Sequence, residues 1–279
     1  MNMVGAALSA LPFEWCQYGF MRLALVAIVL IAPAMALMGT MAVSGRMAFF
    51  SDALGHSALT GVGIGILMGL SNQLPAMLAF GVIWAIMLIM VKQRGSASAD
   101  TVISVFSSTT MALGLLIMAV GGGLAKYEGL LVGDVLSVTV GDLWLLLGVL
   151  IVVLAAWVAL YNRMQLTNVN ADWARSRGVN TRVIECAFAA LMAVVVMLSI
   201  QWIGTLLINS LLILPAAASR NLARNSRQYA LWAIVLGLIS GISGLILSFY
   251  LNTSAGAAIV LCAAALYFAT LCARVVTHR

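Results

Sequence analysis

The sequence is poor in charged residues and in histidine. Of its 279 residues 8% are charged, whereas an average soluble domain has about 25%. Hydrophobic residues make up 64%, and the mean hydropathy is +1.13. There are only two histidines and four prolines. Such a chain has too few polar groups to cover a surface in water, so its composition predicts a polytopic membrane protein.

Several sequence patterns are missing as well. Neither lysine, Lys92 or Lys126, lies in a G-x-x-x-x-G-K-[ST] stretch, so any ATP hydrolysis must come from another polypeptide. An intramembrane metalloprotease, which would need a cluster such as H-E-x-x-H, is the weakest functional interpretation and we do not expect an enzyme. The four cysteines show no CxxC spacing and are expected to be small apolar residues. The net charge of +6 is spread over short loops, so nucleic acid is not an expected partner.

Long apolar runs predict an all-α, polytopic transmembrane helical bundle that forms one domain over residues 1–279. A half-length run at 203–214 is expected between the sixth and seventh spans. Arginines and lysines flank the runs on the side that the positive-inside rule assigns to the cytoplasm, so the amino terminus is expected outside. Eight runs are of full length: 18–38, 47–70, 74–91, 101–120, 143–160, 183–200, 229–250 and 256–272.

The second run contains an acid and a histidine four residues apart. Asp52 and His56 share one helix face, about one turn apart, so both can touch one ligand. If the helix starts at Met47, His56 lies roughly 14 Å along it. A carboxylate and an imidazole are ligands for a divalent metal, and ionisable residues inside a membrane usually have a function. The alternative, that Ser51 caps a helix and Asp52 complements its positive end, stays open.

The same run contains three glycines at intervals of four. Gly61, Gly65 and Gly69 lie roughly opposite the Asp52 stripe and predict close helix packing. Elsewhere in the membrane runs, the hydroxyls of Ser104, Ser107, Ser108 and Thr109 are expected to bond to neighbouring helices. Glu185 is expected to form a weak salt bridge with Arg182.

A second informative stretch, GTLLINSLLILPAAASRNLARNSR, ends the half-length run at Pro215. Residues 215–223 predict a short cytoplasmic helix between two spans. Such a helix suits docking on a soluble partner through Pro215, Ala216, Ala217, Ala218 and Arg220. An interfacial anchor with arginines that reach towards the headgroups is an equal alternative.

Several stretches together resemble the zinc/manganese permease family of ATP-binding-cassette importers. They cover nearly the whole chain: RMAFFSDALGHSALTGVGIG, the fourth run from DT to MALGL, LLVGDVLSVTVGDL, GTLLINSLLILPAAASRNLA and SAGAAIVLCAAALYF. Some zinc-type members carry a histidine in the fourth helix, where this chain has VFSSTT.

The resemblance implies a homodimeric permease of the bacterial cytoplasmic (inner) membrane. A cytoplasmic ABC ATPase would drive it, and an external or periplasmic metal-binding protein would deliver the ion. The expected cargo is zinc first and manganese second, with no permanently bound cofactor, and Asp52 and His56 as metal ligands. A permease for an iron chelate or cobalamin is the alternative, although it would need a larger cavity rather than a carboxylate and imidazole pair.

Overall fold

The computed structural model describes residues 14–95, 97–121 and 135–277. The first part of the LLVGDVLSVTVGDL stretch therefore lies outside the described residues. In the described part all regular structure is helical, with nine α-helices and two short 3-10 turns, at Glu14–Gln17 and Val135–Ser137. The α-helices are α1 Gly19–Ser44, α2 Phe50–Leu67, α3 Leu74–Arg94, α4 Ala99–Gly121, α5 Val140–Val169, α6 Ala171–Ser176, α7 Thr181–Leu222, α8 Ser226–Leu251 and α9 Ala255–Thr277.

The prediction of an all-α transmembrane bundle is confirmed, but the number of spans differs. Seven of the described helices are long and apolar enough to cross a membrane, namely α1, α3, α4, α5, α7, α8 and α9. Helix α2 is 18 residues long but does not belong to this set, since Asp52, His56 and four glycines lower its hydropathy.

The half-length run and the short helix after it are one helix, which corrects the prediction of a separate helix from Pro215. Helix α7 has 42 residues and would be about 63 Å long if straight, twice the thickness of a ~30 Å bilayer core. Gly204 interrupts it with φ 77° and ψ 161°, so it consists of residues 181–203 and 205–222. Pro215 lies inside the second part. Membrane helices tolerate an interior proline where neighbouring groups satisfy the freed backbone carbonyl.

The chain forms two compact units. In its described part the first contains residues 14–40, 135–154 and 202–277. The second contains residues 41–95, 97–121 and 155–201. The single permease domain over residues 1–279 stays a prediction.

In the first unit, small residues allow helix backbones to approach closely. A Cβ atom added to Gly244 of α8 would meet the backbone of Ile259 in α9, and one added to Gly39 of α1 would meet the carbonyl group of Leu212 in α7. Contacts of this kind are typical of membrane helices, whose association depends on packing rather than on the hydrophobic effect.

In the second unit, α2 packs against both α3 and α4. Twelve of its 18 residues are buried. Helix α2 is thus shielded by its more apolar neighbours, which explains how a polar helix can be kept in a membrane protein.

Candidate functional site

The Asp52 and His56 side chains lie against each other on α2. Nε2 of His56 is 3.4 Å from Oδ2 of Asp52. The imidazole is 24% exposed and the carboxylate 49%. Both groups are therefore held together and remain within reach of an approaching ion.

The start of α2 decides where this pair lies along the helix. The helix begins at Phe50, so Asp52 is in its first turn, where an acid interacts favourably with the helix dipole. His56 is six residues from the start, about 9 Å along the axis rather than the ~14 Å predicted from Met47. Phe49 is the N-cap, so Ser51 does not cap the helix. The dipole interpretation of Asp52 and the ligand interpretation are compatible with this geometry.

Next to Asp52 is a cleft of about 160 Å³. Asp52 and Phe49 line one side, and the other side is formed by α4, with the residues Ile103, Ser104, Ser107 and Ser108. The volume has room for several water molecules. The cleft thus combines a carboxylate with three hydroxyl groups, all of them oxygen donors of the kind that bind divalent cations directly or through water.

The three serines of the cleft were expected to bond to neighbouring helices, and their proximity to Asp52 was not predicted. Their spacing, i, i+3 and i+4, places them on one face of α4, which was a usable signal. The expectation for Thr109 was wrong, because its Oγ1 donates to the carbonyl oxygen of Val105 in its own helix at 2.7 Å. The hydroxyl that does connect two helices is that of Thr60, whose Oγ1 donates to the backbone carbonyl oxygen of Thr110 in α4 at 2.6 Å.

The two stripes of α2 contact different helices. Gly63, on the stripe of Asp52, faces α4: a Cβ atom there would lie 2.8 Å from Cγ2 of Ile117. On the opposite stripe, Gly61 and Gly65 face α3, and a Cβ at Gly61 would lie 2.6 Å from Cα of Met77. Helix α2 thus carries its acid and histidine on one face and packs closely against α3 through the other.

Gly69 does not belong to the packing stripe, which corrects that assignment. It follows the end of α2 at Leu67 and has φ 69°, and a Cβ atom added there would have no other atom within 4 Å. Its amide donates to the carbonyl oxygen of Ile66 at 3.0 Å. Gly69 therefore supplies the left-handed conformation that ends the helix.

A second polar cluster lies where α3 ends and α7 begins. Nζ of Lys92 is 3.2 Å from Oε2 of Glu185, and Nε2 of Gln93 donates to the same oxygen at 3.1 Å. The lysine and glutamate side chains are 18% and 17% exposed. Glu185 thus pairs with a residue of another helix rather than with Arg182, as the sequence had suggested. Nζ of Lys92 also lies 3.8 Å from the sulfur of Met47, three residues before α2.

The residues predicted to dock on an ATPase differ in accessibility. Pro215, Ala216 and Ala218 are buried, Ala217 is partly exposed and Arg220 is exposed. Ala216 packs near Gly39 of α1. Only Ala217 and Arg220 of this set can therefore touch a partner directly.

No three His, Cys, Asp or Glu side chains of the described residues form a group that could hold a metal ion. If Asp52 and His56 bind an ion, other groups must therefore complete its ligand set.

Comparison with known proteins agrees with the resemblance seen in the sequence. The profile of the ABC 3 transport family matches residues 17–274. The high-affinity zinc uptake system membrane protein ZnuB of Haemophilus influenzae is 34% identical over 239 residues, which are 84% of this chain and 90% of that protein. The manganese import system permease protein ScaB of Streptococcus parasanguinis is 28% identical over 251 residues, 90% and 89% of the two chains.

A solved structure of PsaBC from Streptococcus pneumoniae in complex with Fab shares the fold. The TM-score is 0.77 at 24% identity, with 97% of this chain and 95% of that chain covered. The family profile, the ZnuB identity over most of both proteins, and the seven apolar helices lead to one conclusion. This chain belongs to the ABC 3 transport family and is a multi-pass membrane permease, not an enzyme.

Proposed function

We propose that this permease conducts a divalent transition metal ion into the cytoplasm of a bacterium, with zinc as the first choice and manganese as the second. The observation that carries the proposal is the Asp52 and His56 pair, 3.4 Å apart on α2, beside a cleft lined by serine hydroxyls. Relatives named for zinc uptake and for manganese import support the same class of cargo.

The ion is bound weakly and in passing. Zinc usually takes four ligands, and one chain offers two strong ones in the described part. Two copies of the chain would bring Asp52 and His56 twice and so complete the set by symmetry. The hydroxyls of α4 would hold the water molecules that the ion has not yet lost. A site of this kind can release its cargo, as conduction requires.

The ligand atoms of the site favour zinc over manganese only slightly. Imidazole favours zinc, whereas carboxylate, hydroxyl and water favour manganese. The cleft volume of about 160 Å³ is small for an iron chelate or cobalamin, so nothing in the site favours that alternative.

Energy and cargo come from partner proteins. An ABC ATPase on the cytoplasmic side would drive transport and contact Ala217 and Arg220 at the end of α7, both accessible there. A metal-binding protein outside the cytoplasmic membrane would deliver the ion.

The test is uptake of radioactive zinc and manganese in a strain that lacks this chain and carries wild type, His56→Ala or Asp52→Ala on a plasmid. Each variant should abolish uptake at normal abundance in the membrane, because each removes a ligand. Asp172→Ala is the matched control, since this carboxylate is 91% exposed on α6 and pairs with Arg175, three residues away on the same short helix. Full uptake by His56→Ala at normal abundance would refute the proposal. Rescue of manganese uptake alone by wild type would reverse the order of the metals.

A further inference from the structure

The carboxyl-terminal ends of α7 and α9 enclose a basic pocket within the first unit. Its volume is about 360 Å³. None of the described residues that line it is acidic, and three of them are arginines. The lining residues are Arg220, Asn221, Leu222, Ala223, Arg224, Ala273 and Arg274.

The part of the sequence that forms this pocket contains no acidic residue. Residues 186–279 contain no aspartate or glutamate but five arginines. Four of these, Arg220, Arg224, Arg227 and Arg274, lie at the same cytoplasmic end by the positive-inside rule. A group that neutralises the pocket therefore comes from outside this part of the chain.

Asn221 joins the two helices of the pocket. Its Nδ2 donates to Oγ1 of Thr270 on α9 at 3.3 Å, and its Oδ1 accepts from Nη1 of Arg274 at 3.5 Å. Arg274 is thereby held next to Asn221, and Arg224 follows α7 in the turn before α8, where its backbone N–H donates to Oε1 of Gln228 at 3.0 Å. Guanidinium groups arranged in this way present paired donors that match phosphate oxygens.

The surface next to the pocket is apolar. Only 17% of the apolar part of α9 is buried within the structure, the lowest share among the seven candidate spans. Phe268 and Val275 are 61% and 57% exposed, on the same last turns of α9 as Arg274. An exposed apolar surface like this on a membrane helix suits contact with acyl chains. The pocket therefore lies beside a surface that lipid chains could cover.

We propose that the pocket formed by Arg220, Arg224 and Arg274 binds the phosphate group of an anionic phospholipid from the cytoplasmic leaflet, whose acyl chains lie along α9. Basic pockets between membrane helices at the cytoplasmic side are typical sites for anionic headgroups. The exposed apolar surface of α9 distinguishes a lipid from a soluble anion, which would need no such surface.

Native mass spectrometry of the purified full-length chain, titrated with phosphatidylglycerol or phosphatidylcholine, tests the proposal. Wild type should bind one phosphatidylglycerol in preference to phosphatidylcholine. The variant Arg224→Gln with Arg274→Gln should bind it about 30-fold more weakly, since it lacks two charges near the headgroup. Arg220 is left in place because it belongs to the surface proposed for the ATPase.

Two controls keep the result specific. Arg227→Gln removes a nearby exposed arginine that does not line the pocket, and should bind as wild type does. Arg224→Lys with Arg274→Lys retains the charge and should retain most of the binding. Unchanged phosphatidylglycerol binding by the double glutamine variant, or equal binding of phosphatidylcholine by wild type, would overturn the proposal. So would displacement of the lipid by millimolar inorganic phosphate.

Discussion

Gly61 provides the sharpest test of how α2 is held in place. In Gly61→Ala the new Cβ would lie 2.6 Å from Cα of Met77, a backbone atom of α3 that cannot rotate away. Two carbon atoms in contact are normally about 3.5–4.0 Å apart, so α2 and α3 must separate by about 1 Å. Overpacking of this kind typically costs about 1–3 kcal/mol.

A matched control isolates the packing cost from helix propensity. Gly148 lies inside α5, and no atom is within 4 Å of the position of a new Cβ. Gly148→Ala should therefore gain up to about 1 kcal/mol from propensity alone. Thermal unfolding of the two variants in one detergent should give a lower Tm for Gly61→Ala, by roughly 2–10 °C.

The same pair of variants connects packing with transport. Because α2 carries Asp52 and His56, a displaced α2 should also lower metal uptake per molecule of Gly61→Ala in the membrane. Equal Tm values and equal uptake for Gly61→Ala and Gly148→Ala would show that α2 and α3 do not pack as closely as described.

Three further predictions concern the remaining sites. Ala217→Trp should uncouple ATP hydrolysis from metal uptake while its abundance in the membrane stays normal. Ala216→Trp should instead lower the abundance of the protein, because Ala216 is fully buried. Immunoblots measure the abundance and ATPase assays measure the coupling. Glu185→Gln should destabilise the chain by about 1–3 kcal/mol in thermal unfolding, because it leaves the charge of Lys92 partly buried without its partner. Ser107→Ala should reduce metal uptake without changing Tm, and uptake equal to wild type would remove this serine from the path.

The helical period explains why the arrangement on α2 could be predicted. Residues at intervals of four share a helix face in any context, so Asp52 with His56, and Gly61 with Gly65, follow from the sequence alone. The sequence alone does not show which neighbouring helix each face contacts, because α3 and α4 are both apolar helices that follow in the chain. The prediction that Gly69 packs with Gly61 and Gly65 was wrong for a local reason. Gly69 keeps the interval of four, but it lies beyond the last turn of α2.

The sequence predicts two boundaries within residues 181–222, one between the runs 183–200 and 203–214 and one at Pro215, and only the first lies near the interruption of α7 at Gly204. In water, proline is the stronger helix breaker, since it lacks an N–H group and clashes with a preceding carbonyl. Here Pro215 remains inside the helix and Gly204 interrupts it, with a φ of 77° that side chains with a Cβ rarely adopt. Helix propensities are measured in water, which hydrates the backbone groups of a broken helix, whereas the core of a bilayer provides no such water.

Contacts between distant residues account for what the sequence could not provide. Arg182 is the basic residue nearest to Glu185 in the sequence, so it was predicted as the partner of Glu185. The residue that does pair with Glu185 is Lys92, which comes from another helix. The serines of α4 show the same limit in a functional place. A hydroxyl in a membrane helix can bond to the backbone of its own helix, to a neighbouring helix or to an ion. The residue type is the same in all three cases, so it does not tell them apart. Only the position of Asp52 beside Ser104 and Ser107 favours the last of these, so the proposed hydration path of the ion follows from the packing of α2 on α4 rather than from either helix alone.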